Sequence, residues 1–256
     1  MRSINGRTGV TETNEMAYYR QVGTIPAKRH TQFRTDEGGL HYEELMGEEG
    51  FSSDSSLLYR RGVPSAITDS RVWELADQTR TPNHPLKPRH LKLHDLETGG
   101  CPVEGRRLVL GNNDVRLTYV VTGTDPSPLY RNAIGDECVY VEAGEGTVET
   151  VFGELTYRTG DYVVIPRATT HRWVPSSLSR LYAIEANSHI APPKRYLSRY
   201  GQLLEHAPYC ERDLHGPTEL IQVEASERQS DVDVLVKHRT GSPERVIRDV
   251  ISFANE

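Results

Sequence analysis

The chain has 256 residues, carries a formal net charge of −6 and contains 26% charged residues. This length is enough for one large β domain with appendages or for two small domains. The acidic balance excludes a generally basic surface for nucleic acid, and no apolar run approaches the ~18 residues that indicate a membrane-spanning helix. Neither nucleic acid nor a membrane is therefore expected as a partner.

Cysteine usage and the first residues favour a reducing compartment. The three cysteines, Cys101, Cys138 and Cys210, are odd in number and widely spaced, which does not indicate a disulfide scaffold. Residues 1–15 are polar, lack the apolar core of a signal peptide and are predicted to be a disordered lead. We therefore expect a cytoplasmic protein.

A glycine- and serine-rich stretch in the early part of the chain allows two interpretations. Gly47 and Gly50, with the serines that follow them, could suggest a phosphate-binding loop. Acidic residues crowd the same stretch, however, and no Gly-Lys-Ser/Thr motif follows. The favoured interpretation is an ordered loop whose serines bond to the local backbone.

Residues 64–105 are rich in proline and glycine and are predicted to be a long packed connection. One short strand is expected at residues 90–94. A metal pair made of His90 and His94 would need helical spacing, which the flanking prolines disfavour, and structural zinc needs four convergent ligands. These two histidines are therefore expected to lie on one face of the strand without a metal.

Short β-rich runs separated by glycine turns dominate the middle of the chain. Such spacing predicts antiparallel strands in a β-barrel or jelly roll. Residues 245–253 can be read as another strand or as a short helix. In chain order, the predicted strands are 108–111, 115–121, 137–141, 147–152, 155–158, 162–165, 180–186 and 232–237.

One further group of metal-type residues lies after these strands. His206, Cys210 and His215 have the spacing H-x3-C-x4-H. The group lacks a fourth ligand and the CxxC pairing of zinc sites, so a surface loop is the stronger interpretation.

Residues 160–171 resemble the second signature of a cupin barrel. The pattern is Gly160-x5-Pro166-x-Ala168-x2-His171, with Ala168 where that family usually has glycine. The resemblance implies an all-β cupin barrel, that is, a double-stranded β-helix or jelly roll, preceded by an N-terminal β-rich extension.

Glu137, followed by the V-E-A-G-E-G turn, resembles the end of the first cupin signature. The two histidines of that signature would fall at about Tyr130 and Asn132, and neither is a histidine. The resemblance therefore implies a barrel that has lost most of its metal site. Glu137 and His171 are the candidate metal ligands that remain.

Two interpretations of these remaining ligands are open. A metal at Glu137 and His171 would need a further ligand, for which neighbouring Asp136 would have to be recruited. Alternatively, His171 is a hydrogen-bonded barrel residue and Glu137 pairs with a base such as Arg131 or Arg172.

Longer phrases resemble bacterial homogentisate 1,2-dioxygenases over roughly residues 16–253. They include YYRQVG, PAKRHTQFR, GGLHYEELMGEEGFSSDSSLLY, PRHLKLHDL, SPLYRNAIGDECVYVEAGEGTVETVFG and PPKRYLSRYGQLLEHAPYCERDLHGPTE. The resemblance implies Fe(II)-dependent ring cleavage with O2 in tyrosine and phenylalanine catabolism, homogentisate as the small aromatic substrate, and a homo-oligomer.

In that family the iron site belongs to a second, C-terminal cupin. This sequence ends at Glu256 before any segment that resembles it, so no family iron ligand is carried over, and the catalytic residues are expected beyond Glu256. The chain alone is expected to be inactive and not to bind Fe(II). The alternative is a metal-free cupin module for assembly or small-ligand binding without catalysis.

The resemblance also suggests a division of the chain and an uncovered surface. The late strands, residues 232–236 and 246–253, are expected to contribute exposed apolar area, which would drive association. The predicted division is a disordered lead at 1–15, the N-terminal extension and connection at 16–105, the cupin barrel at 106–190, and a wrapping segment that leads to a second cupin at 191–256.

Overall fold

The computed structural model describes residues 32–48, 50, 52, 55–74, 80–221, 231–239 and 246–253. The lead expected at residues 1–15 lies outside this part of the chain. Within it the chain forms β-strands and three single 3-10 turns, Leu93–Asp95, Lys194–Tyr196 and Glu211–Asp213, with no α-helix. The strands are β1 Tyr42–Gly47, β2 Ser55–Arg60, β3 Ile67–Val72, β4 Arg107–Gly111, β5 Val115–Thr122, β6 Leu129–Asn132, β7 Glu137–Ala143, β8 Glu145–Thr150, β9 Gly153–Arg158, β10 Tyr162–Ile165, β11 His171–Pro175, β12 Ser179–Ala186, β13 Val232–Arg239 and β14 Val246–Phe253.

Two sheets form a jelly-roll barrel. The first has the order β10-β7-β12-β5-β4, and the second has the order β3-β14-β13-β6-β11-β8-β9. Every strand pair is antiparallel except β6 with β13. The all-β jelly-roll prediction is confirmed. In the described residues no helix has the length and hydropathy of a membrane span.

One hydrophobic core lies between the sheets. Its buried members come from both of them, for example Val139 and Leu181 from the first sheet and Val148 and Trp173 from the second. Along β12 every second residue is buried, which is the period of a strand with one face on a core. The two sheets therefore pack face to face and enclose the site described below.

The early strands are a real β-rich extension, as predicted. β1 and β2 form a separate two-stranded antiparallel sheet. β3 pairs with β14 and so becomes the edge of the second barrel sheet. The loop interpretation of the stretch from Gly47 is wrong in part, because Gly47 is the last residue of β1 and Ser55 and Ser56 are the first residues of β2.

Two predictions about strands are wrong. Residues 90–94 form no strand, and residues 93–95 instead make a 3-10 turn, since the described structure offers this segment no partner strand. The late strands do not expose their apolar side chains, because β13 lies between β6 and β14 and buries Val234, Leu235 and Val236. Residues 246–253, left open between strand and helix, form strand β14.

Ala168 adopts a backbone conformation that normally selects glycine. Its φ is 65°, in the left-handed region where the Cβ of an L-residue crowds the backbone. The Ala168 N–H donates to the Asn132 carbonyl at 2.8 Å, and this bond helps to hold the turn before β11 next to β6. The glycine usual at this position of the cupin signature therefore has a steric reason.

We expect Ala168→Gly to stabilise the protein by about 0.5–1 kcal/mol. The substitution relieves ~1–2 kcal/mol of left-handed strain and loses ~0.4–1 kcal/mol through the greater freedom of glycine in the unfolded chain. Urea unfolding would measure it. The control is Ala133→Gly, at an exposed alanine without a positive φ, which should destabilise by about 0.4–1 kcal/mol. Destabilisation by both substitutions to the same extent would contradict the strain.

Candidate functional site

The interior of the barrel holds a buried carboxylate, that of Glu137 at the start of β7. This residue is only 1% exposed. Its Oε1 accepts hydrogen bonds from the Tyr130 hydroxyl at 2.8 Å and from the Asn132 amide at 3.0 Å. Its Oε2 accepts a hydrogen bond from Nη1 of Arg106 at 2.8 Å. Both carboxylate oxygens are therefore bonded, and a guanidinium balances the charge.

Strand geometry brings these donors together. Tyr130 and Asn132 are alternate residues of β6, so their side chains leave the same face of the second sheet. Glu137 belongs to the first sheet, and the two bonds therefore cross the interior of the barrel. Arg106 directly precedes β4, and its Nε donates to the Pro102 carbonyl at 2.9 Å, which anchors the guanidinium.

A second buried carboxylate, that of Glu185 on β12, lies beside the first. Glu185 and Glu137 are directly opposite each other in the β7–β12 ladder. Nη1 of Arg106 lies 3.5 Å from Oε1 of Glu185 and so contacts both acids. Lys237 on β13 donates to Oε2 of Glu185, and Nε of Arg116 lies 3.9 Å from the same oxygen.

His171 closes the polar cluster from β11. It is 1% exposed, and its ring lies edge-on to that of Tyr130, with centroids 5.4 Å apart. Nδ1 bonds to the Thr169 carbonyl at 3.0 Å, so the proton belongs on Nδ1. Nε2 is buried and has no hydrogen-bond partner among the described residues. His171 is thus an oriented, neutral imidazole.

Burial and charge act on these groups in opposite directions. Burial opposes ionisation of Glu137, but Arg106, His171 and Lys237 outweigh it and lower the pKa of Glu137 to about 2. Burial lowers the pKa of His171, only partly opposed by Glu137. Burial also raises the pKa of Tyr130, as does the neighbouring Glu137 carboxylate. At neutral pH the cluster is a carboxylate, a guanidinium, a neutral imidazole and a phenol.

The cluster does not fit a metal ion. Tyr130, Asn132, Glu137 and His171 do meet in space, as the cupin resemblance implied. Both Glu137 oxygens already accept hydrogen bonds. Of these four residues, only His171 therefore offers a metal-ligand atom without a hydrogen-bond partner, its Nε2. Arg106 also places a positive charge 2.8 Å from Glu137, which disfavours a cation at the same oxygen.

The partners of Glu137 suggested by the sequence are wrong. Nε of Arg131 donates to the Thr170 hydroxyl, and Arg172 pairs with Glu149 at the surface. Neighbouring residues of a strand point to opposite faces of the sheet. Because the His171 side chain points into the barrel, that of Arg172 points outward.

Sequence reasoning missed Arg106, Glu185 and Lys237. Arg106 is 31 residues from Glu137 and belongs to no local motif. A signal for Glu185 was present, because it has the same parity on β12 as buried Leu181 and Ala183. A charged residue at an inward position needs a buried partner.

Asp136 does not join Glu137 but forms a different cluster with Glu48 and His189. Backbone N–H groups of Arg167 and Ile190 each donate to its carboxylate at 2.8 Å. Nδ1 of His189 lies 3.7 Å from Oδ2 of Asp136 and 3.7 Å from Oε2 of Glu48. One ligand atom from each of Glu48, Asp136 and His189 lies within 4.8 Å of the other two, so these residues could hold a metal ion.

The other candidate metal ligands from the sequence do not form a cluster in the described residues. In the described part of the chain no group of three potential ligands includes His90, His94, His206 or His215. His94 instead contacts Glu142 on β7, and the His206 ring lies 6.3 Å from that of Tyr196. His206 and His215 are exposed, in agreement with the surface-loop interpretation of their segment, whereas the strand expected for His90 and His94 is absent.

The two sheets and the cluster between them define an all-β jelly-roll barrel whose central carboxylate is neutralised by an arginine. The chain is 34% identical over 203 residues to a protein of Saccharolobus solfataricus named "Putative dioxygenase SSO1533". The match covers 79% of this chain and 52% of that protein, so the chain spans about half the length of this relative. No protein-family model matches the chain.

Two solved structures match part of the chain. A cupin superfamily protein from Desulfitobacterium hafniense is 15% identical, with a TM-score of 0.35, and the match covers 42% of this chain and 98% of that one. KdgF from a Halomonas species is 19% identical, with a TM-score of 0.34, and the match covers 40% of this chain and 94% of that one. Likeness at this level is not evidence of shared activity.

We expect Glu137 to make stability depend on pH in the acid range. Its pKa is about 2 in the folded protein against an ordinary value of 4.5, so the unfolded chain binds the proton more tightly. The stabilisation is complete above about pH 4.5 and is lost as the pH falls from 4.5 towards 2. Urea unfolding at a series of pH values should show this fall.

Glu137→Gln should remove this part of the pH dependence and lower stability at neutral pH by about 3–5 kcal/mol, because it leaves the Arg106 charge buried without its partner. Glu149→Gln is the matched control, since Glu149 pairs with Arg172 at the surface, and should cost no more than about 1 kcal/mol. An unchanged acid dependence in Glu137→Gln would contradict the assignment.

We expect no stoichiometric iron at Glu137 and His171. After Fe(II) loading and desalting, plasma emission should give the same metal content for the unchanged chain and for His171→Ala, with folding checked by circular dichroism. His189→Ala is the second arm, and metal lost only there would belong to Glu48, Asp136 and His189. One equivalent of iron that disappears in His171→Ala would overturn the expectation.

Proposed function

We propose that this chain is a non-catalytic barrel of a two-barrel dioxygenase of the homogentisate 1,2-dioxygenase type. The observation that carries the proposal is the Arg106–Glu137 contact, at 2.8 Å and with both side chains buried. A non-haem Fe(II) oxygenase needs two histidines and a carboxylate that leave open positions for substrate and O2. Here the Glu137 carboxylate is already paired with the Arg106 guanidinium.

Two further observations support the dioxygenase part. The relative named above carries a dioxygenase name and is about twice as long as the matched region. The long phrases quoted from the sequence resemble homogentisate dioxygenases, which suggests homogentisate as the substrate and Fe(II) as the cofactor of the whole protein. In this proposal the iron ligands lie outside the described cluster, in a second barrel.

The buried network gives this barrel a structural role. Glu137 and Glu185 come from the first sheet, whereas Tyr130, Asn132 and Lys237 come from the second. Each bond between them ties the two sheets together at a defined register. A rigid barrel of this kind can present a fixed surface to a catalytic neighbour or to further copies of the chain, as a homo-oligomer requires.

The alternative is a metal-free cupin module that binds a small ligand or a protein without any oxygenase partner. The same closed cluster is compatible with it. The two functions differ in whether a second barrel restores turnover, which the following experiment measures.

We expect the isolated chain, loaded with Fe(II) in the presence of ascorbate, to show no oxygen uptake with homogentisate. The physical reason is that no described group provides two histidines and a carboxylate around one open position. An oxygen electrode would measure uptake, with the reaction mixture without protein as the control.

The second half of a two-barrel homogentisate dioxygenase, added in trans, should bind this chain and restore turnover. Failure of that half to bind this chain would favour the metal-free module. Turnover by the isolated chain that is lost in His171→Ala would place the chemistry in this barrel and refute the proposal.

A further inference from the structure

A small cavity adjoins the Arg106–Glu185 contact. Its volume is about 20 Å³, and it is lined by Trp73, Arg106, Tyr130, Glu185, Lys237 and Arg248, among others. A cavity needs about 10–15 Å³ to hold one water molecule, so this one has room for a single small species. It plays no part in the proposed function.

The charges around the cavity favour an anion. Arg106, Lys237 and Arg248 are cationic, and Glu185 lines the cavity with them, while Glu137 pairs with Arg106 at 2.8 Å. Three cations therefore face two carboxylates. Arg106 and Lys237 are 6% and 5% exposed, so their charges are poorly screened by solvent. Burial lowers the pKa of nearby Arg116, Glu185 opposes this shift, and the closeness of the Arg248 charge adds to it. Several cations therefore crowd this end of the barrel.

Two residues that line the cavity have hydrogen-bond donors to spare. The indole Nε1 of Trp73 is buried and has no hydrogen-bond partner in the described residues, although a buried indole N–H usually finds one. Lys237 is an ammonium group with three N–H donors, and the described structure gives it a single acceptor, Glu185. A small anion in the cavity could accept from both donors.

We propose that this cavity binds a small monovalent anion, with the Trp73 indole N–H and the Lys237 ammonium as its hydrogen-bond donors. Either a halide or one oxygen of a carboxylate satisfies this chemistry. A carboxylate would place one oxygen inside the cavity and its remaining atoms towards the opening.

The indole N–H groups provide a direct test, because the chain contains only two tryptophans, Trp73 and Trp173. The 15N-labelled full chain is titrated with sodium bromide and separately with sodium formate, each against sodium sulfate at equal ionic strength. One indole signal should shift and saturate, and Trp73→Phe should remove that signal. The bromide and formate arms distinguish a halide from a carboxylate, and saturation with either supports the site.

Lys237→Met should weaken the anion at least about tenfold, since a charge-assisted hydrogen bond is lost. Arg172→Gln is the matched control, which removes one positive charge from a pair at the surface and should leave the titration unchanged. If neither indole signal of the unchanged chain shifts, or if sulfate shifts it equally, the cavity holds water and the proposal is wrong. Unchanged affinity in a folded Lys237→Met would likewise overturn it.

Discussion

Two carboxylates that face each other inside the barrel set the main constraint on this structure. Glu137 and Glu185 are neighbours across the β7–β12 ladder, where like charges repel and burial removes the screening of water. Arg106 contacts both acids, and Lys237 neutralises the second from the opposite sheet. Removing any one member would leave a buried charge without compensation, so the charged members depend on one another.

The same constraint decides what the barrel can do. The positions that would hold a metal in a cupin are brought together, but their one carboxylate is saturated by a phenol, an amide and a guanidinium. The buried polar groups consequently connect the two sheets through hydrogen bonds and ion pairs. Among the described residues, the group that could hold a metal ion is instead Glu48, Asp136 and His189.

Prediction from sequence was strongest where a local rule applies. Alternation of apolar and polar residues and glycine turns indicated β7 to β10, β12 and β13, because the strand period can be recognised from a few consecutive residues. It failed for β6 and β11, which are short and are defined by their neighbours in the second sheet. The left-handed turn at Ala168 was marked only by the glycine that the cupin pattern usually has there.

The sequence by itself determined the all-β class and the order of the central strands, because period and turn chemistry act over a few residues. That Glu137 and His171 belong to one site was implied only by the resemblance to the cupin signatures. Only the tertiary structure decided which base neutralises Glu137. Arg106 is not its neighbour in the chain, and the candidates suggested by sequence, Arg131 and Arg172, contact Thr170 and Glu149 instead. The choice depends on which side chain points into the closed barrel, and that is set by the register between strands, which no single segment of the chain encodes.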